Sequence, residues 1–312
     1  MTERLRWMGA AGLLVLLAAA PYLGLPVHLQ SLLYVLFFWV TLATSWNMLS
    51  GYSGYFSFGH GAFFGVGMYG MATLATKLEW PLWASLLGSG VAASCLALGI
   101  GAVVFRLRGI RGEAFALITL AVTFVLATLI VNTPIDGGNG VSLAAVPIPK
   151  IGPTSSSTFY LLALVAATAT LLVAWGIAVS KLGAGLFAIH DDEDAAEVMG
   201  VPTYRYKLIA LAISCALAGV AGGIHALFLN YVTVGEVFTI TVPLTVVLMS
   251  VLGTIDAPGG FRHKAPFPRS TPPVYARNPN DPGAVKPDTP LGGAPLGFPG
   301  GPEDLFVDEK GG

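Results

Sequence analysis

Long apolar stretches separated by brief polar punctuation fill the first 255 positions of the chain. No Asp, Glu, Lys or Arg occurs from Trp7 to Thr76, Leu82 to Phe105, Ala114 to Ile135 or Leu208 to Gly235. A helix rises about 1.5 Å per residue, so about 20 apolar residues cross roughly 30 Å of hydrocarbon. Divided at their charged, Gly and Pro positions, the runs predict eight membrane-spanning helices at about residues 7–25, 29–49, 61–76, 81–105, 114–132, 159–179, 208–229 and 238–255. The third run is short. The expected fold is therefore all-α: a polytopic transmembrane helical bundle of about eight spans, one of them broken, occupying residues 1–255.

Composition removes whole classes of function. The chain is 54% hydrophobic and only 11% charged, against roughly a quarter charged in a soluble domain, which excludes a cytosolic enzyme or a nucleic-acid binder. Its net charge of −1 gives no basic footprint for nucleic acid; membrane lipid is the expected surrounding. Cys95 and Cys215 both lie inside apolar runs and read as lipid-facing or packed thiols. No metal site, cofactor site or catalytic group is expected, since paired acids, ligand clusters and an activated nucleophile are all missing.

The cations set an orientation. An inside amino terminus places Arg4, Arg6, Arg106, Arg108, Arg111, Lys181, Arg205 and Lys207 on the cytoplasmic face and leaves Lys77 and Lys150 outside. The opening MTERLRWMGAAGLLVLLAAAP also has the layout of a secretory signal cleaved near Ala18 to Ala20. A second apolar segment follows within a few residues, and an uncleaved first span fits that arrangement better.

Between Leu49 and Gly67 the sequence LSGYSGYFSFGHGAFFGVG is too rich in Gly and Ser for an easily maintained straight helix. Opened backbone in a membrane is tolerated where protein or a water-filled cavity satisfies it, and such interruptions mark transport pathways. Gly51, Ser53, Gly54, Ser57, Gly59, His60 and Gly61 are the pathway candidates. The competing reading is close helix packing, because Gly61 with Gly65, and Gly219 with Gly223, have small-xxx-small spacing. His60 is either a proton relay or, better, a histidine hydrogen-bonded to opened backbone; His225 faces the same choice, with packing favoured.

Two loops carry further signals. Asp136, Gly137, Gly138, Asn139 and Gly140 lie in the one long outside connection, residues 133–158, as ordinary turn chemistry or as a lid or docking surface on the outer face. The longest inside connection, residues 182–207, holds the acidic run Asp191, Asp192, Glu193 and Asp194, which suits a helix amino terminus, and Gly200 with Pro202 as a stop. A helix over about 191–199 would present Ala195, Ala196, Val198 and Met199 as a compact, weakly apolar surface; a solvated acidic loop is the bland alternative.

DAAEVMG, with Asp194, Ala195, Ala196 and Gly200, resembles the EAA-xxx-G coupling motif of ABC importer permeases, with Asp in place of Glu. Together with NMLSGYSGYFSFGHGAFFGVGMY, RGEAFALITL and DGGNGVS, in that order along the chain, it is similar to the LivM-type permeases of branched-chain amino-acid ABC importers over roughly residues 30–254. The resemblance implies a passive translocation subunit of the bacterial inner membrane. Its implied partners are a homologous second permease subunit, two cytoplasmic ATPase subunits and a periplasmic substrate-binding protein. The absence of a G-x-x-x-x-G-K-[ST] loop agrees with energy arriving from a partner. A secondary transporter or channel for a small solute is the alternative, disfavoured by the uncharged spans.

From Asp256 the character changes. Residues 256–312 hold 12 Pro and 10 Gly, a composition that builds neither a packed core nor a span and is expected to be disordered. The resembled family continues with further membrane helices here, so this tail reads as the product of a frameshift or truncation, or as a natural short form.

Overall fold

All eight expected segments are helical in the computed structural model, which describes residues 2–107 and 113–255. In chain order the helices are α1 (Thr2–Ala19), α2 (Val27–Ser53), α3 (His60–Thr76), α4 (Leu82–Val104), α5 (Glu113–Val131), α6 (Ser155–Ala178), α7 (Lys181–Asp191), α8 (Glu193–Val198), α9 (Thr203–Leu229), α10 (Val234–Val237) and α11 (Thr241–Ile255). Two-residue strands β1 (Val141–Ser142) and β2 (Tyr231–Val232) pair antiparallel, Val141 opposite Val232 and Ser142 opposite Tyr231. Helices α2, α4, α5, α6 and α9 are each long and apolar enough to cross a bilayer. At 17 residues, α3 falls just short of that length, while α1 and α11 add shorter apolar stretches. The tail at 256–312, and Arg108 and Arg111 of the orientation argument, lie outside the described residues.

Proline and hydroxyl residues mark several helix starts. Pro26, Pro81 and Pro202 immediately precede α2, α4 and α9, where a missing N–H costs nothing. Thr154 caps α6 by accepting from the Ser157 N–H at 3.2 Å, and Ser180 caps α7 by accepting from Gly183.

Large apolar side chains face outward as well as inward. Leu87, Leu117 and Val165 point outward at 68%, 68% and 66% exposure, whereas Ser45, Ser89 and Ser214 are fully buried. Hydrocarbon outside removes any penalty on the leucines. The inward hydroxyls remain satisfied by donating to carbonyls, Ser45 to Leu42 at 2.8 Å and Ser89 to Leu86 at 2.6 Å.

Helix α9 is the hub and packs along α4, α3 and α2; α2 packs in turn on α6. Glycine permits the approach. A Cβ at Gly67 would overlap the Gly219 carbonyl, and one at Gly222 would overlap that of Phe64. A Cβ at Gly219 would lie 2.6 Å from that of Ala93 on α4. The Gly219 and Gly223 pair therefore serves packing, and Gly61 and Gly65 face Pro243 and Phe238 in the same way. His225 also packs: its ring stacks on Phe38 with centroids 4.3 Å apart, and its Nδ1 lies 3.0 Å from the Tyr34 hydroxyl. Cys215 is buried on α9 and Cys95 is exposed on α4.

These crossings predict a position-specific response to added methyl groups. Gly222→Ala should destabilise the bundle by about 1–3 kcal/mol through overpacking. Gly99→Ala, with nothing within 4 Å of its added carbon, should be neutral or stabilising by up to about 1 kcal/mol. Thermal unfolding in detergent compares the two; equal shifts would contradict the crossing geometry.

Candidate transport and coupling site

The opened backbone is shorter than the sequence suggests. Helix α2 runs through Gly51 to Ser53, ends on Gly54 in the left-handed region at φ 74°, and the chain re-enters helix at His60. Gly51 and Ser53 thus belong to the last turns of α2, His60 and Gly61 to the first turn of α3, and the opened stretch is 54–59. Gly51 stays helical because its missing side chain makes room for Asn47, whose amide oxygen occupies the space a Cβ would take. Gly54 is the true terminator: its φ suits glycine, and its N–H closes on the Ser50 carbonyl at 3.1 Å.

Side chains from two helices, α2 and α5, supply hydrogen bonds that the interruption removes. The Ser57 N–H donates to Ser50 Oγ at 3.2 Å, and the Ser57 carbonyl accepts from Trp46 Nε1 at 2.8 Å. The Phe58 N–H donates to Thr119 Oγ1 of α5 at 3.1 Å. Gly59 lies against the same threonine, where a Cβ would be 2.9 Å from that of Thr119. His60 bonds to a side chain and not to opened backbone: its Nε2 lies 2.6 Å from Ser214 Oγ, which donates to the Ser45 carbonyl at 2.8 Å. Ser57 Oγ and His60 Nδ1 are buried with no hydrogen-bond partner, unusual for polar atoms in a protein interior.

The connection between α6 and α9 contains two helices where the sequence reading has one. Asp191 is the last residue of α7 and does not begin the acidic helix. Asp192 breaks the chain with φ −159° and ψ 112°, and its Oδ1 accepts from the Asp194 and Ala195 N–H groups at 2.9 and 3.0 Å. An Asp cap satisfies free amides and meets the positive helix end, which fixes the start of α8 one residue later, at Glu193. Gly200 stops it at φ 85°. Ala196 is buried against the bundle and so does not share the outward surface with Ala195. Val198 and Met199 project almost fully, at 88% and 84% exposure.

Glu193 leaves the acidic run for the interior. Its carboxylate takes Lys207 Nζ at 2.5 Å and accepts from the Tyr55 hydroxyl. Lys207, 4% exposed, also reaches the Tyr55 oxygen at 3.2 Å and sits 4.6 Å over its ring. Tyr55, Trp46, Thr119, Ser214 and Lys207 were not singled out from the sequence. Only Lys207 left a trace there, a cation at the mouth of an apolar run and opposite in sign to the nearby acids.

The loop between α5 and α6 is tied down. Asp136 accepts from the Tyr69 hydroxyl at 2.6 Å and from the Gly138 N–H at 3.1 Å. Gly137, Gly138 and Gly140 have φ of 61°, 77° and 74°, and the Asn139 carbonyl accepts from the Tyr231 hydroxyl. Lys77 donates to the Pro134 and Ile135 carbonyls. This loop sits where α3 ends and α9 ends, and α8 sits where α9 begins. The two loops therefore occupy opposite ends of α9.

Comparison with known proteins identifies a family. The family described as branched-chain amino acid transport system, permease component, matches residues 28–262. The chain belongs to that family. LivM, the permease protein of a high-affinity branched-chain amino acid transport system in Escherichia coli, is 29% identical over 273 positions, and its Salmonella typhimurium counterpart 28%. Each alignment covers 77% of this chain, and the chain spans 62% of the length of each relative. A further match of a different kind is to one of the subunits of a sulfite dehydrogenase from Allochromatium vinosum, 66% identical over 65 residues, 21% of this chain and 7% of that protein. No solved structure matches. This permease-family chain is thus a multi-pass, all-α membrane protein.

The cap at Asp192 predicts a local effect. Asp192→Ala should destabilise α8 by about 0.5–2 kcal/mol, seen as several-fold faster amide exchange at Asp194 and Ala195 with α9 unchanged. Unaltered exchange at both amides would remove the capping role.

Proposed function

We propose that the chain is the transmembrane permease subunit of an ABC importer for branched-chain amino acids or related small polar solutes, set in the bacterial inner membrane with its amino terminus in the cytoplasm. In this reading it works with a homologous second permease, two cytoplasmic ATPases that hydrolyse the ATP, and a periplasmic substrate-binding protein. Asp191, Asp192, Glu193, Asp194, Ala195, Ala196, Met199 and Gly200 form the coupling element. Gly51 to Gly61 line the path, and Asp136 to Gly140 belong to the outer face. The observation that carries the proposal is α8: a short helix, capped by its own Asp192, turns an apolar tip of Val198 and Met199 away from the bundle at the end opposite the DGGNG loop. Exposed apolar groups beyond the ends of the spans suit a protein partner. Closure of the ATPases would push this tip and, through rigid-body movement of the attached helices, switch access to the path.

Residues 256–312 are, in our reading, a Pro- and Gly-rich tail produced by a frameshift or truncation, or a natural short form. Its support is compositional, 12 Pro and 10 Gly in residues 256–312. A downstream reading frame encoding apolar helices at the genomic locus would mark a frameshift, and the lack of one a natural short form.

The permease reading predicts uptake that depends on ATP and survives a protonophore. An ion-coupled carrier would lose uptake when the gradient collapses. Ala195→Glu and Met199→Glu, both at exposed positions, should insert normally yet lower uptake at least tenfold and release the ATPases on purification; normal uptake in both would remove the coupling assignment.

A further inference from the structure

We propose that Tyr55, Glu193 and Lys207 form the joint through which movement of α8 reaches the opened segment 54–59. In this role Tyr55 and Lys207 are positioning residues for transport, and the inference rests on the reading of α8 as the coupling element. A pushed lever moves a gate only where the two are connected. Helix α8 has six residues, and Glu193 is its ionic attachment to the bundle, with side-chain exposure of 12% against 5% for Lys207. A charge pair this deep holds together, because separating it strands a charge away from water.

The other end of the joint lies in the segment that no helical ladder restrains. Tyr55 is the second residue of the opened stretch. Its hydroxyl donates to Glu193 and accepts from Lys207, while its ring stands edge-on to Phe105 and Phe115 at 5.7 and 5.4 Å. A second contact comes from α7, where His190 lies against Gly54 so closely that a Cβ there would be 2.8 Å from its Nδ1. The helices of the inner loop therefore grip the opened segment at two consecutive residues. Farther along the same segment, Ser57 Oγ and, at the start of α3, His60 Nδ1 are buried and unpartnered. Displacing the segment would bring these atoms into reach of water or a polar solute, so the joint holds the path in its closed position.

A purely structural staple and a joint give different results. Tyr55→Phe keeps the ring and removes only the hydroxyl; Glu193→Gln with Lys207→Met neutralises the pair together, so neither charge is stranded. In proteoliposomes carrying the complete importer, Tyr55→Phe should leave ATP hydrolysis within twofold of the native rate and lower solute moved per ATP at least fivefold, with the double variant changing in the same direction. An unchanged ratio, or hydrolysis and uptake falling in equal proportion, overturns the joint. In membranes holding the chain alone on a Cys95→Ser background, Ser57→Cys should react with a water-soluble maleimide at least tenfold faster when Tyr55→Phe is added, and an equal rate counts against the proposal. Met199→Glu separates the two ideas. Normal uptake in that variant and in Ala195→Glu removes the reading of α8, whereas lost uptake there with native stoichiometry in Tyr55→Phe removes the joint alone.

Discussion

Direct backbone contact between α9 and its neighbours is the constraint on which the other features depend. At Gly67 against Gly219, and at Gly222 against Phe64, no side chain separates the helices. On α4, Gly90 approaches Ala216 so closely that a Cβ would stand 2.9 Å from its carbonyl. In hydrocarbon there is no hydrophobic force to press helices together, and close van der Waals contact takes its place. A methyl group at such a crossing would push the helices apart along their length, so α3, α4 and α9 form one block. That block carries Ser214 and Lys207 on α9 and His60 on α3, and so presents fixed partners to the segment between α2 and α3.

Within this frame the opened segment is stable without being helical. A membrane interior offers no water to bare amides and carbonyls, and each unsatisfied one costs several kcal/mol. Ser50, Trp46 and Thr119 replace the missing ladder with side-chain bonds. Such bonds differ from a helical ladder in one respect: they can be exchanged singly for other partners, whereas a ladder is cooperative. Segment 54–59 can therefore shift by trading a few side-chain contacts while α2 and α3 keep their own hydrogen bonding.

What the sequence made legible follows from the range of the forces involved. The eight helices were readable because hydrophobic length is a local, additive property, and each run corresponds to one helix. Terminations were less readable. Gly51 reads as a breaker, yet Asn47 fills its vacant space one turn earlier, and only Gly54 takes the left-handed conformation. The acidic run reads as one helix amino terminus, but which of its carboxylates caps depends on backbone dihedrals, and Asp192 takes that role while Asp191 closes α7. Glu193 reads as one more dipole charge because its true partners, Tyr55 and Lys207, lie in other parts of the chain. Periodicity has no means of announcing a bond between residues 138 positions apart. Thr119 was invisible for the same reason.

The two ends of α9 are held in unlike ways, and this difference bears on how a push at one end is felt at the other. At the carboxyl-terminal end, β2 follows α9 almost directly and pairs with β1, while the Leu143 N–H donates to the Asn230 carbonyl at 2.8 Å. These are backbone bonds with no long side chain in the linkage. At the amino-terminal end, the link to α8 runs through the flexible stems of Lys207 and Glu193, whose charges are strongly attracted but whose torsions leave angular freedom. Because α9 is locked against α3 and α4 along its length, the angular freedom of this link lies with Glu193 and α8, while Lys207 and Ser214 stay with the block.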